Sequence, residues 1–155
     1  MHYKAPAWLP GGHAQTIWPA LYAQRRKGQA KPLLRERWTT PDGDFVDVDR
    51  QHASSGARPL LVLFHGLEGS SQSHYAEAFA DWAAEHDVHF ALPHFRGCSG
   101  ELNRGPRAYH SGDHQEVDWI LQRMRQTHQG QGGQVLLAAG VSLGGNRSEE
   151  HTSEL

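Results

Sequence analysis

A chain of 155 residues is long enough for one domain and too short for two of ordinary size. Charged residues make up 21% of it and the net charge is −2, so no basic footprint points to nucleic acid. The single cysteine, Cys98, excludes an internal disulfide and fits a reducing compartment, and neither a signal-peptide core nor an apolar run of transmembrane length is present. A cytoplasmic location is therefore expected, with peripheral membrane contact left open.

In chain order, residues 1–33 read as an aromatic-rich N-terminal arm, because Pro6, Pro10 and Pro19 break any long helix. Trp8 and Trp18 are expected to anchor that arm on the domain. Next, Arg35 to Thr40 and Phe45 to Asp49 flank Pro41-Asp42-Gly43-Asp44, a strong turn signal, and predict a hairpin. Phe45, Val46 and Val48 suggest a half-buried edge strand with Asp47 and Asp49 facing water. Leu60-Leu61-Val62-Leu63-Phe64 is apolar throughout, as a strand buried on both faces of a parallel sheet requires.

After His65-Gly66, a helix is predicted from about Ser73 to His86, with Tyr75, Phe79, Trp82 and Ala83 on its apolar face. Val88 to Leu92 is another strand. Asp113-x-x-Glu116 resembles a capping box, and Val117, Ile120, Leu121 and Met124 give the following helix one buried face. Val135 to Ala139 is a third apolar strand. Alternating strands and helices make βαβ units, whose right-handed crossovers leave the strands parallel, with these three central.

The last strand runs into Gly140-Val141-Ser142-Leu143-Gly144-Gly145, of the form G-x-S-x-G. That pattern marks a nucleophile elbow, a strained strand-to-helix turn that exposes a serine hydroxyl. An isolated match is also compatible with a plain glycine-rich turn. A dinucleotide-binding turn is disfavoured, because Ser142 stands where its second glycine belongs.

Taken together, the motifs resemble the YheT-type branch of the α/β-hydrolases. The stretches that carry the likeness are Pro6-Ala7-Trp8, Gly12-His13-Ala14-Gln15-Thr16-Ile17-Trp18-Pro19, His65-Gly66-Leu67-Glu68-Gly69-Ser70, Phe95-Arg96-Gly97-Cys98-Ser99-Gly100, Tyr109-His110-Ser111-Gly112-Asp113 and the elbow through Asn146. The resemblance implies the N-terminal half of an α/β-hydrolase fold, a mostly parallel sheet with flanking helices and an N-terminal edge hairpin. It implies a serine carboxylic ester hydrolase, similar to carboxylesterases and acylglycerol lipases acting on short- to medium-chain acyl esters, with some acyltransferases among its relatives.

On that likeness Ser142 is the nucleophile, and the backbone N–H groups of Leu67 and Leu143 form the oxyanion hole. Gly66 lets the loop approach the substrate oxygen, and Trp8 and Trp18 are alternatively the lining of an acyl pocket. The substrate partner would be a small-molecule or lipid ester, with no cofactor and no metal; His86-x-x-His89 straddles a helix end and a strand start. Arg96 is expected in a structural ion pair, Cys98 as an inert thiol, and most of the upstream histidines in loops or on the surface. No position matches the family's triad Asp and His. A non-catalytic binding protein on the same fold is the alternative.

The tail, residues 147–155, offers a helix after the elbow almost no apolar face. Its string is also encoded by AGATCGGAAGAGCACACGTCTGAACTC, the start of a common sequencing-library adapter. Residues 1–146 are therefore read as a partial α/β-hydrolase domain and 147–155 as an adapter-derived tail. The chain as written is expected to be inactive.

Overall fold

The structure, a computed structural model, describes residues 7–8, 11–13, 15, 32–109 and 113–145. Trp18, His110 and the tail lie outside these. Five strands and two long helices follow in sequence: β1 (Leu34–Thr39), β2 (Phe45–Gln51), β3 (Leu60–Phe64), α1 (His74–Glu85), β4 (His89–Pro93), α2 (His114–Gly130) and β5 (Leu136–Gly140). They form one sheet in the order β1-β2-β4-β3-β5. β3 pairs in parallel with both β4 and β5, while β2 is antiparallel to β1 and β4. Every strand except β2 thus runs the same way.

The strand order follows from the crossovers. α1 carries the chain from β3 to β4 on one side, and α2 carries it back past β3 to β5 on the other. Two right-handed crossovers that step in opposite directions put their helices on opposite faces of the sheet. β3 shows the result residue by residue. Leu60, Val62 and Phe64 pack with Val117, Ile120 and Met124 of α2, whereas Leu61 and Leu63 pack with Ala76, Ala80 and Ala83 of α1. An unbroken apolar strand is what burial on both faces demands.

Four expectations change. β5 is not central: it is the last strand of the described sheet, and Val135 and Leu137 remain half exposed. β2 is interior, not an edge, and its Asp47 and Asp49 are buried rather than facing water. The register explains this, because Arg37 stands directly opposite Asp47 and Arg35 opposite Asp49. Each guanidinium grips its carboxylate through Nε and Nη2, at 2.8 and 2.9 Å for Arg37 and 2.7 and 2.9 Å for Arg35. Bidentate pairing of this kind offsets the desolvation that burial imposes. Burial alone would raise the Asp49 carboxyl, but its bonds from Arg35 and His94 hold it well below the usual carboxylate range.

The third change concerns α1. Ala76, Ala80 and Ala83 form its buried stripe, with Tyr75 and Phe79 partly covered, while Trp82 is exposed and stacks on His86. Small residues hold the helix close to the sheet and leave the largest ring outside. Trp8 is likewise 66% exposed, which does not fit an anchor. α2 matches its expected pattern, and the Asp113 side chain accepts a hydrogen bond from the Glu116 N–H at its N-terminus.

Candidate active site

In an open α/β sheet the crevice lies at the C-terminal ends of the strands, where the chain steps out to opposite sides. Here that point lies above β3 and β5. Phe64 at the end of β3 is opposite Gly140 at the end of β5, and the pairing continues one step further through Val141 N–H to the Phe64 carbonyl, 3.0 Å. The two segments that leave this pair, 65–69 and 141–145, make the site.

The second segment is a tight turn. Gly144 N–H bonds the Val141 carbonyl and Gly145 N–H that of Ser142, both at 3.0 Å. Ser142 itself has φ +53° and is exposed. A left-handed backbone costs a non-glycine residue about 1–2 kcal/mol and persists only where its surroundings enforce it. Two glycines do the enforcing. A Cβ on Gly140 would lie 2.4 Å from the Gly144 carbonyl carbon, and one on Gly144 would lie 2.3 Å from the Phe64 carbonyl oxygen. The spacing G-x-S-x-G thus has a steric cause at both ends.

The first segment curls beside the serine: a Cβ on Gly66 would sit 3.3 Å from the Val141 carbonyl oxygen and 3.5 Å from the Ser142 Cβ. Its turn is closed by Gly69 N–H to the Gly66 carbonyl, 3.0 Å. His65 is fully buried and its tautomer is fixed. Nε2 accepts from Phe95 N–H at 2.9 Å, so Nδ1 carries the proton and donates to the Gly66 carbonyl at 2.7 Å. Gly66 N–H donates to the Tyr75 hydroxyl at 3.0 Å, and Glu68 N–H to the Tyr109 hydroxyl at 3.2 Å. Between them Leu67 N–H has no partner among the described residues, nor does Leu143 N–H across the crevice. The Leu67 side chain projects into solvent, 70% exposed.

Neither tyrosine was singled out for the site by sequence. Tyr75 was only one apolar position of a helix, and Tyr109 one letter of a motif quoted for likeness. Two of the upstream histidines, His65 and His94, lie in loops just past the ends of β3 and β4, as expected, but are buried there rather than exposed. His94 Nε2 contacts Asp49 at 2.8 Å. Of the pair with metal-like spacing, His89 has Nδ1 taken by Ala53 N–H and Nε2 bonded to the Ser55 carbonyl, while His86 bonds the Trp82 carbonyl.

Arg96 forms the expected ion pairs. Its Nε lies 2.6 Å from Glu116 and its Nη1 reaches Asp42 at 2.8 Å and Asp44 at 3.4 Å, with the side chains of Arg96, Asp44 and Glu116 all buried. This cluster ties the hairpin turn, the loop after β4 and the start of α2 together. Burial pushes the Cys98 thiol up, away from the thiolate form a nucleophile would need. Among the described residues no helix is long and apolar enough to cross a membrane.

A parallel β4-β3-β5 sheet continued by a reversed β2, a strained serine after β5 and a glycine turn after β3 define the class: this chain has the α/β-hydrolase fold. The solved structures agree, although their low identities speak to fold alone. A lidless α/β serine hydrolase from Xanthomonas campestris superposes with TM-score 0.63 at 16% identity, over 84% of this chain and 60% of that one. The Pyrococcus furiosus esterase Pf2001 does so with TM-score 0.62 at 18% identity, over 79% and 47%.

The particular likeness is to the putative esterase YheT of Escherichia coli, 41% identical over 136 residues, or 86% of this chain and 38% of that protein. Phospholipase ABHD3 of Bos taurus is 25% identical over 149 residues, 84% of this chain and 36% of its own length. The chain therefore spans less than two-fifths of these curated relatives. No family model matches the sequence.

Proposed function

We propose that the chain carries the nucleophile and oxyanion half of a serine carboxylic ester hydrolase of the YheT type, acting on short- to medium-chain acyl esters, a small molecule or a lipid. One observation carries the reading: Ser142 is exposed in a left-handed conformation that two glycines enforce. Backbone strain at an exposed serine has a use when its hydroxyl must stand clear of the sheet. The Ser142 hydroxyl attacks the ester carbonyl, the alcohol leaves, and water cleaves the acyl-enzyme. Leu67 and Leu143 N–H groups receive the oxyanion, each such donor being worth roughly 10²–10³ in rate.

The base and its orienting carboxylate are supplied outside the described residues, so the test uses the protein expressed from the complete gene. It should hydrolyse a short-chain nitrophenyl ester and react with a fluorophosphonate at Ser142. Turnover retained in Ser142→Ala would sink the reading. The 155-residue chain alone should show no Ser142-dependent turnover.

A further inference from the structure

The loop that bears Leu67 has four backbone N–H groups, from Gly66 to Gly69, and three are engaged. Gly69 closes the turn internally, while the groups on either side of Leu67 are held by phenol oxygens from two different elements. Tyr75 comes from the first turn of α1, with its ring packed against the core on that face. Its hydroxyl fills the hollow of the turn so closely that a Cβ on Gly69 would lie 2.4 Å from it. Tyr109 comes from the segment before α2; its ring stacks on Phe95 with centroids 5.6 Å apart, and its hydroxyl is also hydrogen-bonded with the Cys98 thiol.

Glu68, which Tyr109 holds, has φ +51°, a strained conformation that an unrestrained loop would leave. We propose that Tyr75 and Tyr109 are positioning residues for ester hydrolysis: by accepting the N–H groups of Gly66 and Glu68 they fix the turn so that, of this loop's N–H groups, Leu67's alone is left to meet the reacting oxygen beside that of Leu143. The proposal rests on the serine-hydrolase reading above. Neither phenol needs to touch substrate. Each acts through the peptide it holds, and a misplacement of about 1 Å in such a donor can cost 10²-fold.

The test is Tyr75→Phe and Tyr109→Phe in the protein expressed from the complete gene, since both keep the ring and remove only the oxygen. Each should lower kcat by about ten- to hundred-fold with KM within about twofold. A boronic acid, which forms a tetrahedral adduct on Ser142 and draws on the same N–H groups, should weaken in parallel. Fluorophosphonate titration should still count one reactive serine per chain, separating a misplaced loop from an unfolded fraction. The inference falls if both variants keep kcat within about twofold, if the boronate affinity is unchanged, or if activity falls only with the titratable serine. Ser142→Ala separates the two levels: inactive, with silent tyrosine variants, it removes the inference alone; fully active, it removes the serine reading and the inference with it.

Discussion

Comparing Ser142→Gly with Ser142→Ala isolates the backbone strain at Ser142. Both substitutions remove the hydroxyl, and at an exposed site that loss is worth within about 0.5 kcal/mol. What differs is the backbone. Alanine retains a Cβ at φ +53°, where a non-glycine residue stores about 1–2 kcal/mol. Glycine escapes that cost but gives the unfolded chain more freedom, a loss of about 0.4–1 kcal/mol. Glycine should therefore be the more stable variant by about 1 kcal/mol. In a domain of 150 to 250 residues that is about 2–4 °C in the thermal midpoint, and it should recur as a higher urea midpoint at unchanged slope. If the alanine variant matched or exceeded the glycine variant, Ser142 would not be strained and the argument from strain to nucleophile would lose its footing.

Two further outcomes follow from the buried charges. Arg96→Met should cost about 3–5 kcal/mol in urea denaturation, because it leaves Glu116 and Asp44 buried without their cation, and Arg96→Lys should recover only part, since one ammonium cannot reach three carboxylates; a loss below about 1 kcal/mol would contradict this. The imidazoles of His89 and His128 are shifted below their ordinary value of 6.5, in each case chiefly by burial. The unfolded chain then binds protons that the folded one refuses, so their contribution is present above pH 6.5 and is lost as pH falls through 6.5 towards their folded values. The aspartates, depressed below 3.8, act only at lower pH. A urea midpoint that is flat from pH 7.5 to 5.5 would refute the histidine argument.

How much could be read in advance depended on whether a residue's role was local. The strained turn at Ser142 was legible because its glycine spacing sits within six consecutive residues, and β3 because burial on both faces leaves no polar position. The α2 stripe and the Asp113 cap were legible for the same reason. Asp47 and Asp49 were misread because alternation along one strand looks the same whether the polar face meets water or a row of arginines. Only the β1–β2 register, set by the turn, shows which it is. Tyr75 and Tyr109 reach the loop from 9 and 41 residues away, and no spacing rule connects them to it. Trp82 was assigned inward on hydrophobicity, yet the approach of α1 to the sheet favours alanines.

The pairing of Phe64 with Gly140 has a consequence for how this site can vary. The two segments that frame the crevice start from the same rung of one hydrogen-bonded ladder, so their separation is set by integers rather than by springs. A strand can shift only by whole residues, about 3.3 Å at a time, and a single step turns every side chain to the opposite face. Apart from Tyr75, whose hydroxyl holds the Gly66 N–H, substitutions in α1 or α2 can loosen the fold as a whole but have little means of stretching the gap between Gly66 and Ser142. Drift elsewhere in the domain should therefore change how many molecules are competent, while each competent molecule keeps the same geometry at its crevice.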